Sequence, residues 1–256
     1  METEREIYAQ DAINEFVQHS CAFLIPGSTH RTATDVGSGV IIHTEKGHLA
    51  VLTAKHIAEE AERQEYRLGF FQCSNPISDF VKGILLCPDD VDVGILIIKN
   101  TLSSQIQHLA INHKFVPVED YEILAQDNLV LNGFPAEISK YDQNRSEQEF
   151  TVLTYWCTPE SVSSNGKGRY RLDWKDANVW RDDRVFDLPS PKGMSGGPLW
   201  RFREPVSTSL WSTQKTGKII GIQSAWDRKN TAIIEPVEKW SNWFYECIAM
   251  IDGTDY

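Results

Sequence analysis

The sequence predicts an all-β protein with one helix at each end. Short apolar stretches rich in β-branched and aromatic residues recur about every twenty residues from Cys21 to Trp226, separated by Gly, Pro, Asn and Asp. Helical periodicity, by contrast, is strongest at the two termini, and no internal repeat or low-complexity tract interrupts the pattern.

At the N-terminus, Thr3 and Glu6 have capping-box spacing, and Tyr8, Ala12, Ile13, Phe16 and Val17 recur at helical intervals, which predicts a helix over 3–19. Eleven candidate strands follow: CAFLIPG, GVIIHT, HLAVLTA, YRLGFF, VKGILL, VGILIIK, NLVLNGF, FTVLTYW, YRLDW, GGPLWRF and GKIIGIQSAW. Glu45-Lys46-Gly47 reads as a hairpin turn, and IAEEAE after His56 as a short helical stretch. The segment KFVPVED (114–120) is the expected connection between two halves, and 137–149 and 158–169 are polar loops. The charged stretch 170–187 is longer than a minimal turn and is expected either to gate a site or contact a partner, or to form a hairpin whose Trp174 and Trp180 plug the second half. Beyond Pro236, suited to a first helical turn, Val237, Trp240, Phe244, Ile248 and Ile251 share one helical face.

The chain has 256 residues, 25 Lys+Arg against 36 Asp+Glu, a net charge of −11, and 41% hydrophobic and 24% charged residues. This composition is that of a globular protein with a real core, and its acidity excludes a basic nucleic-acid-binding face. Cys21, Cys73, Cys87, Cys157 and Cys247 are an odd, scattered set without CxxC pairs, a poor disulfide or zinc framework. METEREIYAQ lacks an apolar signal core and no run reaches the ~18 apolar residues of a membrane span, so a cytoplasmic protein with reduced thiols and no membrane association is expected. No metal or nucleotide ligand spacing is present, and no cofactor is expected.

One stretch is far more specific: Lys192-Gly193-Met194-Ser195-Gly196-Gly197-Pro198-Leu199. A serine nucleophile needs a base within hydrogen-bonding reach and backbone N–H donors for the oxyanion, and flanking glycines permit the dihedrals that aim such donors into one pocket. A glycine-rich turn with an incidental serine is the plain alternative. Upstream lie Gly37-Ser38-Gly39-Val40-Ile41-Ile42, then Leu52-Thr53-Ala54-Lys55-His56, then Asp92-Val93-Gly94-Ile95-Leu96. His43 and His48 flank the predicted hairpin turn, and His19, His30, His108 and His113 lack motif context. Asp89 and Asp90 precede Asp92 without its following strand pattern, and Cys157 has no supporting neighbours.

With these motifs in the order His, Asp, Ser, the sequence resembles the trypsin/chymotrypsin-like serine peptidases, closer to their disulfide-free bacterial and intracellular members than to secreted digestive enzymes. GSGVII, LTAKHIA, DVGILII and GMSGGPLW carry the resemblance, with Asn132-Gly133-Phe134-Pro135 and Gly221-Ile222-Gln223-Ser224-Ala225-Trp226, across about 20–250. The resemblance implies two six-stranded antiparallel β-barrels acting as one catalytic unit: a helical extension (1–19), a first barrel (20–116), a second barrel (117–235) and a C-terminal helix (236–256). It implies a serine endopeptidase acting through an acyl-enzyme on protein or peptide substrates. Ser195 would be the nucleophile, His56 the base, Asp92 its orienting acid, and the N–H groups of Gly193 and Ser195 the oxyanion hole. Ser224 and Ala225 would pair with substrate backbone, and Trp226 and Asp187 would bear on the specificity pocket.

Two departures matter. Met194 stands where digestive relatives carry the aspartate that pairs with a cleavage-made N-terminus, so activation by that cut is not expected and the oxyanion loop must be ordered by packing or by a regulatory partner. Pro189 stands where basic specificity needs an acid, leaving Asp187 as the nearest substitute and a small or medium apolar residue as the preferred substrate side chain. A catalytically silent module that binds peptides or a partner is the other reading. An esterase-type elbow fits less well, since Gly197-Pro198 follows the serine and His56 precedes it.

Overall fold

The computed structural model describes residues 4–26, 36–63, 65–71, 73, 76–88, 90–137, 151–165, 168–174, 178–181, 184–203, 212–227 and 231–253. Helix α1 (Glu4–His19) leads into strands β1 (Cys21–Pro26), β2 (Gly37–His43) and β3 (Leu49–Thr53), then α2 (Lys55–Arg63). Strands β4 (Tyr66–Phe70), β5 (Ile77–Ser78), β6 (Val81–Leu86) and β7 (Gly94–Ile98), the short helix α3 (Ser103–Ile106) and β8 (Ile111–Asn112) complete the first half. The second half holds β9 (Asn128–Gly133), β10 (Leu153–Cys157), β11 (Val162–Asn165), β12 (Arg169–Asp173), β13 (Asn178–Arg181) and β14 (Arg184–Asp187). It ends with β15 (Pro198–Phe202), α4 (Thr213–Thr216), β16 (Gly217–Asp227), β17 (Thr231–Pro236) and α5 (Ser241–Gly253).

These strands form two curled antiparallel sheets. The first runs β5-β4-β1-β2-β3-β7-β6, with β8 added in parallel beside β2; the second runs β10-β9-β15-β16-β17-β12-β11; β13 and β14 pair apart as a ribbon. Each path has seven strands rather than the expected six. All eleven anticipated strands are present.

Central strands β2, β3 and β7 are apolar without alternation because both their faces are covered. Val40, Ile42, Leu52 and Ile95 face the core shared with the second sheet, while Ile41, Val51 and Leu96 face the first sheet's own interior. The terminal helices close this shared core. In α1, Ile13 and Val17 are buried and the Phe16 ring lies 5.5 Å from that of Trp200. Asn132 Nδ2 on β9 donates to the Val17 carbonyl at 2.9 Å, and Trp200 Nε1 donates to Asn132 Oδ1 at 2.8 Å, so one buried amide ties helix to sheet. A short 3-10 turn at Val237–Lys239 precedes α5, whose Phe244, Ile248 and Ile251 are buried as their spacing requires. Thr3 and the side chain of Tyr8 lie outside the described residues.

The polar segment 158–169 is not all loop: it contains β11, an edge strand with exposed Ser163 and Ser164. An edge strand is solvated on one side, so its composition lacks the apolar signature of central strands. Trp174 is buried, its ring 4.6 Å from that of Tyr155 and its Nε1 donating to the Pro189 carbonyl at 3.1 Å. Trp180 lies on β13, and its side chain falls outside the described residues, as does most of 137–149. Among the described residues no helix is long and apolar enough to cross a membrane.

Candidate active site

The first sheet supplies His56 and Asp92. Strand β3 ends at Thr53, and the chain turns directly into α2, whose first turn closes through Ala58 N–H donating to the Ala54 carbonyl at 3.0 Å. The buried face of α2, Ile57, Ala58 and Ala61, lies on the sheet and leaves His56 facing out, its side chain 47% exposed. Gly94 at the start of β7 permits this approach: a Cβ there would lie 2.8 Å from that of Ala58. Two residues before Gly94, Asp92 is thereby brought alongside the helix start.

Both Asp92 oxygens are engaged. His56 Nδ1 lies 2.8 Å from Asp92 Oδ2, and the His56 backbone N–H donates to Oδ1 at 3.0 Å. Burial works to raise the Asp92 carboxyl, but the His56 ring and the backbone N–H groups of His56 and Lys55 outweigh it and hold the carboxyl below the ordinary carboxylate range. An ionised Asp92 accepts the Nδ1 proton and so leaves Nε2 of a neutral His56 ring with a free lone pair, the tautomer a general base requires.

The second sheet supplies Ser195, in the loop before β15. A turn closed by Met194 N–H donating to the Pro191 carbonyl at 3.0 Å places Gly193 at φ +93°. The Lys192 carbonyl accepts from the Ala136 N–H at 2.7 Å, and the Met194 carbonyl accepts from the Gly197 N–H at 2.7 Å. In a planar trans peptide the N–H points opposite to the C=O. Fixing these two carbonyls therefore turns the N–H groups of Gly193 and Ser195 away from them, and among the described residues neither N–H has a partner.

Ser38 of the first sheet clamps this loop. Its backbone N–H donates to the Ser195 carbonyl at 2.7 Å, and its hydroxyl donates to the Gly193 carbonyl at 2.9 Å while accepting from the Phe134 N–H at 2.9 Å. Gly196, at φ +91°, is pressed so closely against this clamp that a Cβ would lie 2.0 Å from the Ser38 carbonyl oxygen. Met194 is fully buried, its Cβ 3.2 Å from where a Cβ on Gly133 would sit.

His56, Gly193, Ser195 and Trp226 line one cleft of about 700 Å³, with Val36, Ile57, Glu60, Tyr66, Pro191 and Lys192 completing its walls. A larger hollow of about 830 Å³ beside α1 shares no lining residue with it and contains none of these groups. Strand β16 flanks the nucleophile loop: the Gln223 carbonyl accepts from Gly196 N–H at 2.7 Å and its N–H donates to Gly197 at 2.9 Å. Pairing with β15 stops at Ile222, so β16 extends past the loop with Ala225 and Trp226 paired to Ile233 and Ala232 of β17 and Ser224 in a bulge between Gln223 and Ala225. Ser224 is buried with its hydroxyl donating to the Ile233 carbonyl at 3.3 Å, and Ala225 is exposed. Asp187 ends β14 opposite Asn178, and its side chain lies outside the described residues.

The other candidates lie elsewhere or are unsuited. His43 ends β2 beside the hairpin, His48 lies just past its turn, and His113 is buried with Nδ1 3.3 Å from the His43 carbonyl. His19 and His108 are exposed and line the hollow beside α1, while His30 and Asp89 lie outside the described residues. Burial pushes the Cys157 thiol up to about 12, too high for a thiolate nucleophile. Ser38 and Phe134 lie within the sequence motifs, but their hold on the loop is not legible there; the one signal is a small polar residue, Ser38, inside an otherwise apolar strand.

No protein-family model matches the sequence, and no curated protein matches it either. Solved structures do. A serine endoprotease from Yersinia pestis aligns over 93% of this chain and 66% of its own, at 16% identity and a TM-score of 0.54. The tobacco vein mottling virus protease aligns over 88% of this chain and 79% of its own, at 10% identity and a TM-score of 0.49. A thermostable serine protease from an extremophilic microorganism aligns over 90% of this chain and 98% of its own, at 11% identity and a TM-score of 0.49. Two curled antiparallel sheets with a helix at each end match the trypsin-like two-barrel fold.

Proposed function

We propose that this chain is a serine endopeptidase in which Ser195 attacks the scissile carbonyl, His56 takes and returns the proton, and Asp92 orients and stabilises the His56 ring. The observation that carries this reading is the doubly bonded His56–Asp92 pair opening, through the same cleft, onto Ser195. The N–H groups of Gly193 and Ser195 form the oxyanion hole. Each such donor is worth about 3–4 kcal/mol of transition-state stabilisation. Attack gives a tetrahedral oxyanion; its collapse expels the amine, protonated by His56, and water then releases the acyl group from Ser195 by the same route.

The open side of β16 beyond Gln223 is suited to bind substrate backbone as an added strand along Ser224 and Ala225. Trp226 in the cleft wall narrows the neighbouring pocket, which favours a small or medium apolar substrate side chain. The oxyanion loop is held by its own chain, through buried Met194 and the clamps of Ser38 and Ala136, which supports activity without internal cleavage. The five cysteines are free and four of them are buried, in keeping with a reducing compartment, and we place the protein in the cytoplasm. A mass-spectrometric screen of a diverse peptide library tests the reading. Cleavage by the wild type that disappears in Ser195→Ala is expected, with no preference for Arg or Lys before the cut. Cleavage retained in Ser195→Ala would exclude the mechanism.

A further inference from the structure

Asp92 sits in the turn between β6 and β7 of the first sheet, whereas Ser195 belongs to the second, and no disulfide ties the two. Two charged residues of the second sheet reach that turn. Glu235 on β17 has a side chain with 0% exposure, and Arg169 Nε on β12 lies 2.5 Å from its Oε1. The strands are paired, and the register that sets Tyr170 opposite Ile234 runs on to Arg169 and Glu235 as a cross-strand couple. The same guanidinium donates from Nη2 to the Asp90 carbonyl at 2.8 Å. The Glu235 carboxyl lies within electrostatic reach of Asp92, and the Glu235 carbonyl accepts from Trp240 Nε1 at 3.1 Å.

A guanidinium is a planar fork with its donors at fixed angles. With Nε committed to Glu235, the position of Nη2 is set, and with it the place of Asp90. A buried ion pair yields little net stability over an apolar pair of the same size; what this one supplies is direction, through the Arg169 bond to the Asp90 carbonyl two residues before Asp92. We infer that Arg169 and Glu235 are positioning residues for Asp92, holding the 90–92 turn against the second sheet so that the carboxylate meets His56 Nδ1 at hydrogen-bonding distance. The inference rests on the triad reading above for its catalytic consequence, and on geometry alone for its structural one.

The test uses the double variant Arg169→Met with Glu235→Leu, which removes both charges together and leaves neither unpaired in the core, beside Arg169→Lys, which keeps a charge for Glu235 but loses the fork. Two quantities are read on the full chain: the rate at which a fluorophosphonate probe labels Ser195, and the far-downfield NMR signal of the His56 Nδ1 proton shared with Asp92. In the double variant, with its thermal melting preserved, labelling is expected to slow by about 10²-fold, the usual cost of a misplacement near 1 Å, and the downfield proton to be lost to exchange with water. Arg169→Lys is expected to fall between. If the double variant does not fold, Glu235→Gln, which keeps the shape, gives the same two readouts. A folded variant that keeps both the wild-type labelling rate and the downfield proton overturns the inference. If the wild type itself takes no label, the peptidase reading fails, and the proton signal still decides the positioning role: its loss in the variant supports that role, and its persistence refutes it.

Discussion

Replacing Ser38 by alanine isolates the contribution of the clamp to the oxyanion hole. The hydroxyl is fully buried and serves two backbone groups, the Gly193 carbonyl and the Phe134 N–H, both at 2.9 Å. Ser38→Ala removes it without changing the backbone bond from Ser38 N–H to the Ser195 carbonyl. Each buried polar group left without a partner costs about 1–3 kcal/mol. At the lower end the two together cost about 2 kcal/mol, which for a chain of this size lowers Tm by about 4–8 °C. The catalytic effect follows from the Gly193 carbonyl: once released, the turn can rotate and carry the neighbouring N–H out of the hole. Losing one oxyanion donor costs about 10²–10³-fold in rate, and partial loss is expected to slow fluorophosphonate labelling of Ser195 by about 10–100-fold. Melting by circular dichroism and labelling rates on the same preparation give both numbers. A variant that melts lower yet labels at the wild-type rate would show that the hydroxyl supports the fold but not the hole.

Three further outcomes are expected. Gly196→Ala places a methyl group 2.0 Å from the Ser38 carbonyl oxygen at a backbone of φ +91°, so the variant should fail to accumulate as folded protein or melt well below wild type in a thermal scan. Met194→Asp puts an uncompensated charge where the side chain is fully buried, and should cost about 3–5 kcal/mol in urea unfolding. Because the Asp92 carboxyl is held below its unfolded value, its stabilising contribution is present above about pH 4 and is lost as the pH falls through the folded value. Urea midpoints measured at descending pH should therefore drop less steeply below about pH 4 in Asp92→Asn than in wild type.

What could be read from the chain alone was what local pattern records. Central strands such as β2, β3 and β7 show themselves as apolar runs because both faces are buried. Asp92, His56 and Ser195 stand out because small residues must sit beside them: Gly94 where α2 approaches, Gly196 where the Ser195 loop meets the first sheet, and Gly197 where it packs on Asn132 of β9. Strands that lack a second apolar face left no such mark. Edge strand β11 reads as a polar loop, and β17 carries no clear strand signal because Glu235 cuts short the apolar run Ala232-Ile233-Ile234. The clamp of Ser38 on Gly193, 155 residues away, and the Arg169 bond to Asp90, 79 residues away, are products of how the two sheets meet, which no short window of sequence encodes.

The central claim is that His56 activates Ser195 in the cleft between the sheets. Its most direct measurement is fluorophosphonate labelling of the wild type, Ser195→Ala and His56→Ala, with the modified peptide mapped by mass spectrometry. The wild type should carry the probe on Ser195, Ser195→Ala should carry none, and His56→Ala should label far more slowly. Labelling that survives Ser195→Ala, or that proceeds equally well without His56, would contradict it.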